Sequence, residues 1–231
     1  MIRALAPLLV LIGAPAALAQ PLSCSLPATA EAPPPATPDG PVRASVPITQ
    51  YTLALSWAPD FCATHGAQAD GECQGKAARF GFVLHGLWPD GDNGTWPQWC
   101  PGATQVPADV VRRMACTTPS PTLVAHEWAK HGTCMAPDPQ RYFTQSAAMF
   151  HALHFPDMDA LARRPGLTAG HLRDAFVAAN PRYPRESIGV MTGDSKALQE
   201  VHLCHDKAMH PAACQMRGAP DSAELRITSL R

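Results

Sequence analysis

The chain has 231 residues, with 18 basic and 19 acidic side chains, 46% hydrophobic content and eight cysteines. A protein that grips long nucleic acid along its backbone carries a basic footprint. This near-neutral composition excludes one and confines any nucleic-acid contact to a short local site.

Residues 1–19 open Met-Ile-Arg, continue in an apolar run and close on Ala17-Leu18-Ala19, a small-x-small cleavage pattern. They read as a secretory signal, too short and wrongly flanked for a membrane span. Beyond them no apolar run nears the ~20 residues that a spanning helix needs, so a soluble exported protein, periplasmic or secreted, is expected. Cleavage removes one of the 18 basic residues, Arg3, and leaves 17 against 19 acidic, a net charge of −2. Cys24 after Leu22-Ser23 weakly resembles a lipoprotein site, but Pro21 stands where an aliphatic residue belongs.

Residues 20–47 form a proline-rich stretch, with seven prolines between positions 27 and 47. It cannot bury enough apolar surface to fold and reads as an extended linker. A single domain is expected over 48–231, long enough for a real core.

Residues 51–57 alternate large apolar with small or polar side chains, a half-buried strand that Pro59 should end. A second strand over 79–85 is more continuously apolar, hence expected to be central, and broken by Gly86 and Pro89. Asp90-Gly91-Asp92-Asn93-Gly94 is a turn. Helical spacing covers 107–115 and 141–153, and Thr168 caps a helix to about Ala179, before Pro181. Strand-like runs follow at 187–191, 200–203 and 224–228. Strands, helices, then strands predict an α+β domain, a central antiparallel sheet packed with several helices.

Chemistry concentrates in His126-Glu127-Trp128-Ala129-Lys130-His131-Gly132-Thr133-Cys134. On a helix, residues three or four apart are neighbours, so two imidazoles, a carboxylate and an ammonium would form one surface patch. A histidine beside a carboxylate is often only a solvated face; four such groups together call for an anion. The zinc protease pattern H-E-x-x-H is not met, because Lys130 stands at i+4 and His131 comes at i+5. That places His131 roughly 140° around the helix from His126. None of the cysteines forms a CxxC pair, so no zinc cage is expected, and an even count in an exported chain reads as four disulfides. A second cluster, His85-Gly86-Leu87-Trp88-Pro89-Asp90, sets a histidine beside an indole at a strand end.

These two segments resemble the two active-site segments of the T2 ribonucleases. Ser56-Trp57-Ala58-Pro59-Asp60-Phe61-Cys62 is similar to the family's first strand and cysteine, and Leu203-Cys204-His205-Asp206-Lys207 to a late strand with another cysteine. The resemblance runs from about Tyr51 to Thr228. It implies an endoribonuclease acting on single-stranded RNA by 2′-hydroxyl transesterification, without a metal or other cofactor and without cleaving DNA. His131 would be the general base and His85 the general acid. His126 would bind phosphate, and Glu127 and Lys130 would stabilise the pentacovalent transition state. Trp88 and Trp96 offer π faces to a base, although the family leads one to expect tyrosine at position 96. Asp90 matches an aspartate that accepts from adenine's exocyclic amine, implying low base specificity with some adenine bias.

The cysteines fit the resemblance. Cys62–Cys73 and Cys100–Cys134 match family bridges, Cys204–Cys214 closes a short loop, and Cys24–Cys116 is the remaining pair. The expected partner is RNA alone, and the expected state a monomer. The competing reading is an exported binding or signalling protein on the same fold with catalysis lost.

Overall fold

The structure is a computed structural model that describes residues 23–66, 73 and 78–230. The secretory signal expected over 1–19 lies outside the described residues. Four strands build the main sheet: β2 (Gln50–Trp57), β4 (Phe82–Asp90), β5 (Ile188–Thr192) and β6 (Leu198–His205). Their order is β4-β2-β6-β5, all antiparallel. A short pair, β1 (Ser23–Cys24) with β3 (Ala78–Arg79), lies apart from it. Among the described residues six α-helices complete the α+β fold: α1 (Ala58–His65), α2 (Ala108–Met114), α3 (Pro121–Lys130), α4 (Pro139–His151), α5 (Met158–Ala162) and α6 (Ala169–Ala179). All four expected disulfides form, Cys24–Cys116, Cys62–Cys73, Cys100–Cys134 and Cys204–Cys214. No helix among the described residues is long and apolar enough to cross a membrane.

The sheet has one apolar and one polar face because side chains alternate along a strand. Leu53, Leu55 and Trp57 of β2 join Val201 and Leu203 of β6 in the core, together with Trp128, Tyr142, Phe150 and Phe176 from the helices. Phe82 anchors this side, with Phe155 stacked at 5.2 Å and Phe176 edge-on at 5.6 Å. The intervening residues Gln50, Thr52 and Ser56 of β2, and Glu200 and His202 of β6, line cavities on the other face.

Two expectations about the strands need correction. The apolar strand is an edge strand and is longer than expected, running through Gly86 and Pro89 to Asp90. Its free edge is covered, since the Leu84 N–H donates to the Thr117 carbonyl at 2.9 Å and the Thr118 hydroxyl to the Leu84 carbonyl at 2.7 Å. That cover explains the apolar sequence, and an edge position is where a strand tolerates proline. The strand β2 ends at Trp57, as expected, and Pro59 sits in the first turn of α1, where a missing N–H costs nothing. Residues 224–228 form isolated bridges rather than a strand, Glu224 opposite Thr168 and Arg226 opposite Ala197. The run is held by Leu167, Lys196, the Leu198 N–H at the start of β6 and the Trp57 indole N–H, through single bridges rather than a ladder.

Other boundaries follow local chemistry. Thr168 caps α6 in a capping box with His171, as expected, and the helix ends at Ala179. The Asn180 side chain then donates to the His154 carbonyl at 2.7 Å and accepts its N–H at 2.9 Å. The proline-rich residues 27–47 run along the domain. Gln98 donates to the Pro41 carbonyl at 2.6 Å and pairs its backbone with Arg43, and Gln105 donates to the Ala32 carbonyl at 3.1 Å.

Candidate active site

A β-bulge in β4 decides which side chains meet. Ala54 pairs with Gly86, but Leu55 pairs with Leu84, so His85 is the extra residue. In an unbroken strand, positions 85 and 88 would point to opposite faces. With the bulge, Leu84 and Leu87 both enter the core while His85, Trp88 and Asp90 all line the cavity on the polar face.

Helix α3 supplies the opposing wall. Ser120 caps its start by accepting the Leu123 N–H at 3.1 Å, and Pro121 occupies the first turn. The helix ends at Lys130, so His131 is not on the helical face expected for it but at the C-cap, with φ −112°. The Lys130 carbonyl, freed at the helix end, accepts the Trp99 N–H at 2.8 Å. Gly132 permits this turn, because a Cβ there would lie 2.4 Å from the Trp128 ring. Cys100–Cys134 ties the two segments together.

All eight residues named as candidate site residues outside the cysteines line one cavity of about 290 Å³: His85, Trp88, Asp90 and Trp96 on one side, and His126, Glu127, Lys130 and His131 on the other. Glu127 is not part of a surface patch, however. It is 1% exposed, and its Oε2 accepts the Trp88 indole N–H at 2.7 Å. Gly86 makes room for it, since a Cβ at that position would come within 1.9 Å of Glu127 Oε2. Trp88 is also the common neighbour of three imidazoles, with centroid distances of 5.1 Å to His85, 5.5 Å to His131 and 5.4 Å to His202.

The two histidines expected to move protons have opposite surroundings. His85 Nδ1 lies 2.5 Å from Glu200 Oε1, and its Nε2 lies 3.6 Å from Glu127 Oε1. His131 is 6% exposed, and its Nδ1 has no hydrogen-bond partner among the described residues. Burial, then the Lys130 ammonium and the His126 and His85 imidazoles, push His131 well below the ordinary histidine range. Burial and Lys130 likewise lower His126, with Asp39 pulling the other way. Burial lifts the Glu127 carboxyl to about 7 against the opposing influence of His85 and the Trp88 N–H.

Glu200, His202 and Ser56 were not singled out in the sequence. Glu200 and His202 are two apart on β6, hence on one face of the sheet, and a lone carboxylate inside an apolar strand was the available signal. The His202 Nε2–H donates to Glu200 Oε2 at 2.8 Å, and the Ser56 hydroxyl donates to Oε1 at 3.0 Å. Burial raises Glu200, but the hydrogen bonds from His202 and His85 outweigh it and hold the carboxyl well below the usual range.

At the cavity's far end Thr52 donates to Asp90 Oδ2 at 2.6 Å. Burial raises Asp90 against the pull of Thr52 and His202. The Trp96 ring carries the Arg43 guanidinium 4.3 Å from its centroid, and its N–H donates to Gln98 Oε1 at 2.7 Å. A second cavity of about 370 Å³ lies across His85, lined by Phe61, His65, Ser120 and Leu123 among others. Among the described residues no group of three or more His, Cys, Asp or Glu side chains could hold a metal ion.

A family model described as Ribonuclease T2 family matches residues 48–214. The chain is similar to a probable ribonuclease of Haemophilus influenzae, 28% identical over 187 residues, which cover 76% of this chain and 64% of that protein. It is similar also to the extracellular ribonuclease LE of Solanum lycopersicum, 34% identical over 175 residues, 68% of this chain and 75% of that one. The chain spans less than two thirds of the Haemophilus influenzae relative and 36% of an Aeromonas hydrophila ribonuclease. Among solved structures, trichomaglin, an S-like ribonuclease, superposes with a TM-score of 0.60 at 21% identity, covering 78% of this chain and 98% of that chain. At that identity the likeness is one of fold. The family match runs from the sheet's first long strand to the last disulfide and takes in both walls of the cavity: the chain belongs to the ribonuclease T2 family.

Proposed function

We propose that this protein is an endoribonuclease that cleaves single-stranded RNA by transesterification through the ribose 2′-hydroxyl. The observation that carries the reading is the pair of histidines with opposite surroundings on one cavity, His85 between two carboxylates and His131 among cations. A general base must be neutral and a general acid charged at the working pH. Nearby cations disfavour an imidazolium, and nearby carboxylates favour it.

In the proposed first step His131 takes the proton from the 2′-hydroxyl, and the freed oxygen attacks the adjacent phosphorus. The phosphorus–5′-oxygen bond breaks, and the leaving oxygen takes a proton from His85. The product is a 2′,3′-cyclic phosphate. In the second step the histidines exchange roles, water opens the ring, and a 3′-phosphate results. Lys130 and His126 meet the phosphoryl oxygens where negative charge grows. A phosphodiester beside His126 offsets the effect of Lys130 and favours the charged imidazole. Glu127 is accounted for as the buried acceptor that fixes Trp88 and sits against His85. DNA lacks the attacking hydroxyl and is not a substrate, and no metal or other cofactor enters these steps.

The base 5′ to the cut is assigned to Trp88, Trp96 and Asp90. With one Asp90 oxygen held by Thr52, the carboxylate can accept from the exocyclic amine of adenine, whereas it offers no donor to a carbonyl. Stacking is tolerant of sequence, so the specificity is low with an adenine bias. Four disulfides support an exported protein, periplasmic or secreted, and we assign a monomer.

The test is digestion of RNA and of DNA by the purified protein in excess EDTA, followed by identification of the terminal phosphate. RNA fragments ending in cyclic and then 3′-phosphate, with DNA intact, are expected. Loss of activity with EDTA would overturn the metal-free mechanism. Undiminished cleavage by the double variant His85→Ala/His131→Ala would overturn the assignment of the site. A protein that binds RNA without cutting it would favour the binding or signalling reading.

A further inference from the structure

We infer that Glu200 is a positioning residue that fixes and charges His85, so that the proton donor is a three-part unit of His85, Glu200 and Ser56. This deepens the proposed function and rests on it. Glu200 is placed by register: on β6 it pairs with Ser56 of β2, and Ser56 lies beside the bulged His85. An ionised carboxylate accepts hydrogen bonds and donates none. The three groups around it, His85 Nδ1–H, His202 Nε2–H and the Ser56 hydroxyl, must therefore all donate. That fixes the His85 tautomer with Nδ1–H toward Glu200 and leaves Nε2 as the nitrogen on the Glu127 side, within the cavity wall.

The carboxylate is itself braced from three directions, which distinguishes it from a surface ion pair of little worth. As the extra residue of the bulge, His85 is set by its side-chain partners as well as by the strand. Glu200 fixes the ring and keeps a positive charge on it, which are the two requirements of an acid that must protonate a leaving alkoxide. Glu127, on the opposite element, faces the other nitrogen from a buried site. It cannot supply the same hold at 3.6 Å.

Other charged groups surround His85, and the test must separate them. Helix α3 brings Glu127, His126, Lys130 and His131, and β4 and β6 bring Asp90 and His202. From the α1 side, Asp60 and His65 line the cavity that His85 shares. Glu200 is bonded to the donor, His202 and Ser56 and not to His131, so its effect on the chemical step must depend on whether the leaving group needs a proton.

The experiment compares Glu200→Gln with the unmodified protein on two substrates, the dinucleotide ApU and adenosine 3′-(4-nitrophenyl phosphate). Nitrophenolate leaves without protonation. Gln keeps an acceptor of the same shape but no charge. On ApU we expect kcat to fall by about 10- to 100-fold, a fraction of what general acid catalysis supplies, with KM nearly unchanged. The alkaline limb of the pH profile should move down by about one pH unit. On the nitrophenyl ester the loss should be less than about threefold, and Glu200→Asp should recover part of the ApU rate.

Equal losses on both substrates, or an unmoved alkaline limb, would overturn the inference. A His85 imidazole that titrates by NMR below the ordinary histidine value in the unmodified protein would overturn it without any variant. The reading of the site fails separately. If His85→Ala cleaves ApU at the full rate, His85 is not the donor, whatever Glu200→Gln does.

Discussion

His85 and His131 are the same side chain in two different settings, and the contrast teaches what a fold can do with imidazole. His85 sits on a bulge in an edge strand, half-exposed, with carboxylates off both ring nitrogens. His131 closes a helix, nearly buried, with Lys130 before it and His126 nearby. One setting favours the charged ring and the other the neutral ring, although both would titrate near 6.5 in water. Opposite protonation is what an acid and a base need at the same pH. In the proposed mechanism the sheet and the helix supply it, and Trp88 adjoins both rings.

Deleting either member breaks the contrast most severely. His131→Ala and His85→Ala should each lower kcat/KM on RNA by about 10³-fold or more, the upper part of what acid–base catalysis contributes, measured as initial rates. His131→Ala should lose as much on a substrate with an activated leaving group, whereas His85→Ala should not.

The next change reaches His85 through its neighbour. In Gly86→Ala the new methyl would overlap the Glu127 carboxylate and press on the Trp88 indole. Overpacking of this kind costs about 1–3 kcal/mol, readable by urea denaturation. Activity should fall further than stability does, because Glu127 and Trp88 adjoin both histidines.

The pH profile tests the contrast without altering the covalent site. The base must be neutral, and burial with Lys130 holds His131 well below the ordinary range, so the acidic limb lies at low pH. That limb is therefore expected below pH 6.5. In the proposed mechanism the acid must stay charged, which the ionised Glu200 carboxylate beside it favours. Lys130→Met removes a cation that lowers His131, so its pKa rises and the acidic limb should move to higher pH, alongside a loss in kcat. A limb that stays put would separate Lys130 from the base.

The mildest change leaves both histidines alone. Asp90→Ala should lower the rate on ApU relative to UpU by about 2- to 10-fold, the value of one hydrogen bond. An unchanged ratio would remove Asp90 from base selection.

Much of this was legible in the chain. The two histidine segments, the four disulfide pairs, the Thr168 cap and β2 follow from local spacing or from resemblance, because each depends on residues close together or on a long motif. What was not legible depends on hydrogen bonds between distant strands. The bulge at His85 exists only against Ala54 and Leu55, and reading residues 79–85 as a continuously apolar strand has no means of inserting it. Glu200 is one carboxylate in a strand until register sets it beside Ser56. The apolar run of β4 looks like a central strand because residues 117 and 118 cover its edge, more than 30 positions away in the chain. Glu127 was placed on a surface by helical periodicity alone, whereas the gap at Gly86 lets the sheet close over it.

The segment over 27–47 enters the folded state as a tether held at both ends. Cys24–Cys116 closes a loop with a sequence separation of 92, and β2 begins at Gln50. In the chain-entropy account, closing a loop of that length is worth about 4–5 kcal/mol. A half-buried cation–π contact such as Arg43 on Trp96 is worth only about 0.5–2 kcal/mol, too little to recruit a free peptide. Tied down on either side, Arg43 meets the indole at a high effective concentration. The Trp96 wall of the cavity is thus backed by a side chain from a segment with little regular structure, held by a covalent bond before it and by its contacts with Gln98 and Gln105.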